Sequence, residues 1–417
     1  MSSLLCLTTS YPEPALPHAG HFVQRLNRIY QEEGWSPDVI ALKRTIEEER
    51  SLSGDDRIGG HIRWVKAWGQ KWIGGIPDQL SQGKLNTWAT SLAHALLLRR
   101  AYRQYIRQAQ VGVPVVSHWA LPCGLISMDH APLVYCHGGD VALFETLRSG
   151  PWMARRLTQR AGLIVCVSED LRHRWLAMCG PQLRRGRGDR IRALPMGIDE
   201  PQPCLRARDR FINLIDGRLC LSTVGRFVPI KGYDLLCEAI GALSEEERNQ
   251  IIWLAAGTGP QLSEVISQAK RLKVPLVHLG ELEPSQRDAL LSVTSLFVAP
   301  SRRIGKRVEG SPLALREAIL SGCRVLASPL GGVEELGRGL PIERFLITSP
   351  EVIPLRDQLH GWISSGVSPH TELNNEHARS ISCRAGEKWT WRTLGPQHVS
   401  LLEQVIQQER LVQPSRP

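Results

Sequence analysis

Two short stretches in the second half of the chain combine residue types that grip activated phosphates and hydroxyls. In Gly225-Arg226-Phe227-Val228-Pro229-Ile230-Lys231-Gly232, two cations stand five residues apart in a loop bounded by glycines and stiffened by Pro229. Arg226 through its planar fork and Lys231 as a point charge could clamp a diphosphate from two sides. The same pair standing alone could equally be two solvated surface cations. The second stretch is Glu309-Gly310-Ser311-Pro312-Leu313-Ala314-Leu315-Arg316-Glu317. With Ser311 as N-cap and Pro312 at the first helical position, a helix starts here, and the free N–H groups of Leu313 and Ala314 make an anion site. Glu309 before the helix and Glu317 inside it are acceptors suited to hydroxyl donors. Taken alone, Glu317 could also be a charge on a solvated helix face.

These loops need strands and helices to hold them. Apolar runs at 4–8, 38–42, 113–117, 133–136 and 163–167 predict strands in the first half, with a helix over 22–33 entered at Gly20 and left at Gly34. The second half repeats the alternation, with strands at 220–224, 251–255, 275–279, 295–299 and 324–328. Helices are expected at about 233–243, 260–272, 284–292 and 312–320. Near-continuous apolar strands alternating with helices predict parallel sheets buried on both faces. The fold expected is α/β, with two Rossmann-like, doubly wound domains facing across a cleft. The divisions are 1–195, a Pro-, Arg- and Asp-rich linker at 196–216, a second domain at 217–375, and a helical segment at 376–417. Open parallel sheets bind ligands beyond the C-terminal ends of their strands, which is where the Arg226–Lys231 and Glu309–Glu317 stretches fall.

Composition narrows the classes. The 417 residues are 42% hydrophobic and 22% charged, which excludes collagen-like and wholly disordered chains. No apolar run reaches the ~18–20 residues of a spanning helix, and residues 1–9 are too short for a secretory signal, so a cytoplasmic protein is expected. Ten cysteines form no C-x-x-C pair and suit buried thiols. Residues 1–195 hold 25 Lys/Arg against 16 Asp/Glu, whereas residues 196–417 hold 26 against 25. This one-sided excess is the footprint of an anionic partner.

Together these motifs resemble the GT-B glycosyltransferases, specifically retaining family 4 (glycosyl transferases group 1). The resemblance runs from about residue 3 to residue 340. It is carried by TTSYP with Gly20, YCHGGD at 135–140, VCVSEDLR at 165–172, LPMGID at 194–199 and VGRFVPIKGYDLLCEAI from 224. AAGTGP at 255–260, LVHLGEL at 276–282, the Glu309–Glu317 pair and EAILSGCRVLASPLGGVEEL extend it. The resemblance implies a retaining, metal-independent enzyme moving a sugar from a nucleotide diphosphate sugar to a glycan or polyprenyl-linked acceptor, in surface polysaccharide biosynthesis. Arg226 and Lys231 would hold the diphosphate, Glu317 the donor ribose, and Glu309 the hydroxyls of the transferred sugar. His137 would contact that sugar or the reacting centre from the other domain, and the Gly20 loop would let backbone approach the diphosphate. Without the family, His137 reads as a buried histidine bonded to backbone. No D-x-D occurs, and the cations and helix start could neutralise phosphate without a metal or other cofactor. Lys231→Ala is expected to cut turnover and leave folding intact, as for an exposed cleft cation. Two departures stand out: the first loop has one glycine rather than an adjacent pair, and Ser311 replaces a frequent aromatic.

On the acceptor side, 61–73 interleaves Trp64, Trp68 and Trp72 with Arg63, Lys66 and Lys71, which suits contact with an anionic membrane at the inner face of the cytoplasmic membrane. The alternative is a strand at 62–66 followed by a packed loop. An amphipathic helix at 92–108 offers Arg99, Arg100, Arg103 and Arg107 at its end, its leucines serving either lipid or core. The arginine-rich run 184–192 reads as a glycine-broken loop. The four cations of 302–307 read either as part of an acceptor-phosphate site or as a solvated loop. No nucleic-acid-binding module is present. A GT-B nucleotide-sugar epimerase and a non-catalytic nucleotide-sugar-binding subunit are the rival functions.

Overall fold

The computed structural model describes residues 2–13, 19–43, 61–66, 85–338, 345–366 and 376–412. They divide into two compact units, residues 1–197 with 394–417 and residues 198–393.

The first unit is a parallel sheet of seven strands, ordered β3-β2-β1-β4-β5-β6-β7. They are β1 (Ser2–Thr8), β2 (Trp35–Lys43), β3 (Ile62–Lys66), β4 (Val115–His118), β5 (Leu133–Cys136), β6 (Leu163–Cys166) and β7 (Ile191–Ala193). β4, β5 and β6 are buried along their whole length, the burial on both faces that their apolar sequences imply. The first helix, His21–Glu32, buries Val23, Leu26, Ile29 and Tyr30 and ends before Gly34 at φ 87°. The second unit is a parallel sheet of six strands in the order β10-β9-β8-β11-β12-β13. These are β8 (Leu219–Val224), β9 (Ile251–Ala256), β10 (Leu276–His278), β11 (Leu296–Ala299), β12 (Arg324–Ala327) and β13 (Phe345–Ile347). Both orders run 3-2-1-4-5-6 along the chain, so the direction of winding reverses between β1 and β4 and again between β8 and β11. These are the switch points at which such sheets open a crevice for ligand.

Three sequence expectations are corrected. The segment 196–216 is no free linker: Leu205–Ile215 is a helix whose Phe211 and Ile215 are buried in the second unit. Two bonds fasten its approach, Gln202 N–H to Asp288 Oδ2 (2.8 Å) and Cys204 N–H to the Ser285 carbonyl (2.9 Å). The arginine-rich run 184–192 is ordered structure, being the end of helix Pro181–Arg187, a 3-10 turn and the start of β7. The tail 376–417 divides, since the helix Glu376–Trp389 belongs to the second unit and the first takes up the chain from Leu394 inside the helix Trp391–Val412. Trp64 lies in a strand, half-buried and edge-on to Tyr11 at 6.3 Å; Trp68, Lys71 and Trp72 lie outside the described residues. The helix Leu85–Gln108 divides its apolar residues, with Leu98 buried while Leu92 and Leu96 are more than half exposed. The cysteines are free thiols, eight of them buried, Cys204 half-buried and Cys383 exposed.

Candidate functional site

In the second unit the candidate residues sit beyond the C-terminal ends of β8, β11 and β12, which are neighbours in the sheet. β8 runs into Gly225, whose N–H is held by the Ala256 carbonyl (3.0 Å), and Phe227 bonds to the Thr258 carbonyl (2.8 Å). Packing holds the loop from below: Phe227 is buried and meets Tyr233 edge-on at 4.9 Å. Arg226 is exposed. Lys231 lies in a single 3-10 turn that Pro229 begins. Its Nζ is ion-paired directly with Glu309 Oε1, the two side chains being 19% and 13% exposed. Ser301 Oγ donates to the other Glu309 oxygen at 2.6 Å, so both oxygens of this carboxylate are engaged. The loop after β12 closes underneath, with Gly332 N–H on the Glu309 carbonyl (3.3 Å). Gly331 is left-handed at φ 61°, and a Cβ there would lie 2.1 Å from the Glu309 carbonyl oxygen. Only glycine fits that approach.

The expected helix start is displaced by one residue. Pro312 is the N-cap and Leu313 the first helical position of Leu313–Leu320. Ser311, expected as the cap, instead pairs its hydroxyl with the buried Arg316. Proline has no side-chain acceptor, so Leu313 and Ala314 occupy the first two helical positions without a cap bond from it. Glu317 is buried on this helix and bonded to Arg287 Nη1 at 2.8 Å. Arg287 also reaches Asp288 Oδ1 at 2.9 Å. Burial raises the Glu317 pKa above the ordinary carboxylate value, opposed by Arg287 and reinforced by Asp288 and Asp199. Burial weakens the Arg287 charge, but Glu317 and Asp288 outweigh it and the pKa rises. Glu317 is therefore no solvated helix-face charge. Arg287 and Ser301 escaped the sequence reading because each becomes chemical only through a partner distant in sequence. The cationic loop is partly structural: Arg302 pairs with Asp234 (2.9 Å) and donates to the Pro229 carbonyl (2.8 Å).

In the first unit, His137 follows β5 and is half-buried. The rings of Trp119 and Phe22 lie 4.8 and 4.9 Å from it, centroid to centroid. Its Nε2 is 3.1 Å from Nδ1 of His118, the last residue of β4. Desolvation, with His398 adding to it, lowers the His137 pKa to about 3, so the ring is neutral. The buried carboxylate of Asp140 fastens this corner, Oδ1 accepting from the N–H groups of His137, Gly138 and Val141 and Oδ2 from Ala120. Burial raises its pKa, opposed by the bonds from Ala120, Gly138 and Val141. Gly20 caps the first helix at φ 72°, where a Cβ would lie 2.3 Å from the Ser10 carbonyl oxygen. Close backbone packing thus suffices to require glycine there. Among the described residues, no group of three or more His, Cys, Asp or Glu is placed to hold a metal ion, and no helix is long and apolar enough to cross a membrane.

Residues 206–373 match the model of the family "Glycosyl transferases group 1". A GDP-mannose-dependent alpha-(1-6)-phosphatidylinositol monomannoside mannosyltransferase of Mycolicibacterium smegmatis is 28% identical over 207 residues, 48% of this chain and 52% of that protein; the chain thus matches about half the length of that curated relative. Among solved structures, sucrose-phosphate synthase from Thermosynechococcus elongatus superposes with a TM-score of 0.73 at 18% identity, covering 98% of this chain and 100% of that one. Anabaena HepE in complex with UDP and glucose gives 0.67 at 13% identity, covering 96% and 99%. The two parallel-sheet units are those of the GT-B fold, and residues 206–373 of the second unit are similar to the group 1 glycosyl transferases.

Proposed function

We propose that the chain is a retaining, metal-independent glycosyltransferase moving a sugar from a nucleotide diphosphate sugar to a glycan or polyprenyl-linked acceptor in surface polysaccharide biosynthesis. One observation carries this reading: Lys231 and Glu309 meet at the switch point of the second sheet, just ahead of the Leu313–Leu320 helix start. A diphosphate competing for Lys231 frees the Glu309 carboxylate to accept from sugar hydroxyls. Arg226, Lys231 and the N–H groups of Leu313 and Ala314 then offset charge on the departing nucleotide, which is electrostatic catalysis and leaves that task without need of a divalent ion. Glu317, held by Arg287, is assigned to the ribose hydroxyls, and His137 to the transferred sugar. The GDP-mannose relative and the UDP complex of a structural neighbour support a nucleoside diphosphate donor as a class.

The charge excess of the first half supports an anionic acceptor and peripheral contact with an anionic membrane at its cytoplasmic face. Exposed Leu92 and Leu96, on the same helix as Arg99, Arg100 and Arg103, add to that support. The test begins with a panel of nucleotide sugars screened for thermal stabilisation of the purified protein, since a ligand of the folded state raises its apparent stability. Nucleotide release is then measured with and without lipid-linked acceptor. Acceptor-dependent release supports transfer. Release without an acceptor indicates hydrolysis, epimerised donor without acceptor an epimerase, and binding without turnover a silent subunit. Glu309→Gln should lower turnover more than donor affinity.

A further inference from the structure

His118 was not among the residues that the sequence pattern singles out, yet it is the direct partner of His137. The two ring planes lie within 15° of each other with centroids 5.3 Å apart, and the Nδ1 to Nε2 distance is 3.1 Å. On its other side His118 stacks on Tyr135, with centroids 5.0 Å apart and planes within 10°. His118 is fully buried, and among the described residues its Nε2 meets no hydrogen-bond partner.

We infer that His118 is a positioning residue that fixes His137 as an Nδ1–H hydrogen-bond donor toward an oxygen of the substrate. The proton bookkeeping of the two rings carries the inference. One neutral imidazole must donate and the other accept across the 3.1 Å contact. If His118 accepted at Nδ1, its own proton would sit on Nε2, an N–H buried without an acceptor. Orphaned buried N–H groups are rare because such a donor forfeits its hydration with no return. The cheaper arrangement puts the His118 proton on Nδ1 and leaves a bare lone pair at Nε2. His137 Nε2 then accepts, so the His137 proton must sit on Nδ1.

The frame keeps the two rings in place. Asp140 ties the loop after β4 to the loop after β5 through Ala120 and His137. Trp119, between His118 and Ala120, is held at φ 70° and ψ 115°, a sparsely populated conformation for a bulky residue. A further chain of bonds supports the ring beneath His118. His398 Nε2 lies 3.1 Å from the Pro195 carbonyl and must donate to it, so its Nδ1 accepts from Tyr135 Oη (2.9 Å). Tyr135 in turn accepts from Tyr30 (3.4 Å). Every proton in this buried set then has a single assigned place.

The inference rests on the role proposed for His137, and its test reads the tautomer as well as turnover. In 15N-labelled full-length protein at neutral pH, the two ring nitrogens of His137 should give the signature of Nδ1–H, the reverse of the preference of a free histidine side chain in water. His118→Phe keeps a flat ring on Tyr135 and removes both nitrogens. It should abolish the fixed tautomer and lower kcat roughly tenfold with donor KM little changed. His118→Asn, whose amide can donate near the Nδ1 position, should recover most of both. An Nε2–H signature for His137 in the wild type overturns the inference, as does an unchanged His137 tautomer in a folded His118→Phe. Loss of the transfer reading would instead show as absent nucleotide release by the wild type, with the tautomer still Nδ1–H.

Discussion

Lys231 and Glu309, on loops that follow two neighbouring strands of the second unit, neutralise each other directly, and Ser301 holds the carboxylate oxygen that Lys231 leaves. The lysine is therefore no exposed cleft cation, and the expectation that Lys231→Ala leaves folding intact loses the exposure on which it rested.

Lys231→Ala should cut kcat/KM about 100-fold or more, the scale of losing one preorganised charge-stabilising group. It should also destabilise the protein by about 1–2 kcal/mol, because Glu309 keeps its partial burial and loses its counter-charge. The double variant Lys231→Met/Glu309→Gln should recover most of the stability and none of the activity. Urea unfolding beside nucleotide-release kinetics checks both, and full stability in Lys231→Ala would contradict the energetic role of the pair.

Arg287→Ala leaves Glu317 buried beside Asp288 and Asp199 without its principal cation. The expected cost is roughly 2–3 kcal/mol, below that of a fully buried broken pair because Arg287 keeps some exposure. Glu317→Gln should weaken nucleoside diphosphate binding about tenfold while changing kcat less, since the ribose lies away from the bond that breaks. Isothermal titration with GDP, UDP and ADP gives the comparison.

Gly331→Ala places a methyl group against the Glu309 carbonyl in a backbone conformation that favours glycine. A destabilisation of about 1–3 kcal/mol is expected, together with lower turnover because the residue displaced is Glu309. Unchanged kinetics with lowered stability would separate the loop from the chemistry.

His137 and His398 have pKa values held near 3 and 4, and His118 lies well below the ordinary histidine value; burial is the main cause in each. Their folded values lie below the unfolded value of about 6.5, so the stability of the neutral forms is complete above pH 6.5 and is lost as pH falls toward 4. Each histidine contributes a slope of up to about 1.4 kcal/mol per pH unit in that window. Replacing His398, which is paired with Tyr135 and the Pro195 carbonyl, by Gln should remove one proton's share of this slope. Denaturant unfolding at pH 7, 6 and 5 measures it, and an unaltered slope would refute the assignment to His398.

Much of the architecture was legible because its signals are local. Runs such as LIVCV and SLFVA can satisfy their apolar faces only in sheets covered on both sides, and β5, β6, β8, β9, β11 and β12 fall within a residue or two of the expected bounds. Arg226, Lys231, Glu309 and Glu317 could be singled out as candidates because a glycine-bounded loop or a helix start announces itself over a few residues. The helix over 205–215 was missed, since its burial depends on Phe211 and Ile215 meeting a surface built from distant sequence.

What the sequence by itself determined was most of the strands and helices and the residue types at their ends, since both follow from near-neighbour sterics and periodic burial. Only the tertiary structure decided the partnerships: Lys231 with Glu309, Glu317 with Arg287, and His118 with His137. Each joins side chains separated along the chain but delivered together by parallel strands. A group's charge state and the ring nitrogen that carries its proton depend on the neighbours and burial that this convergence supplies.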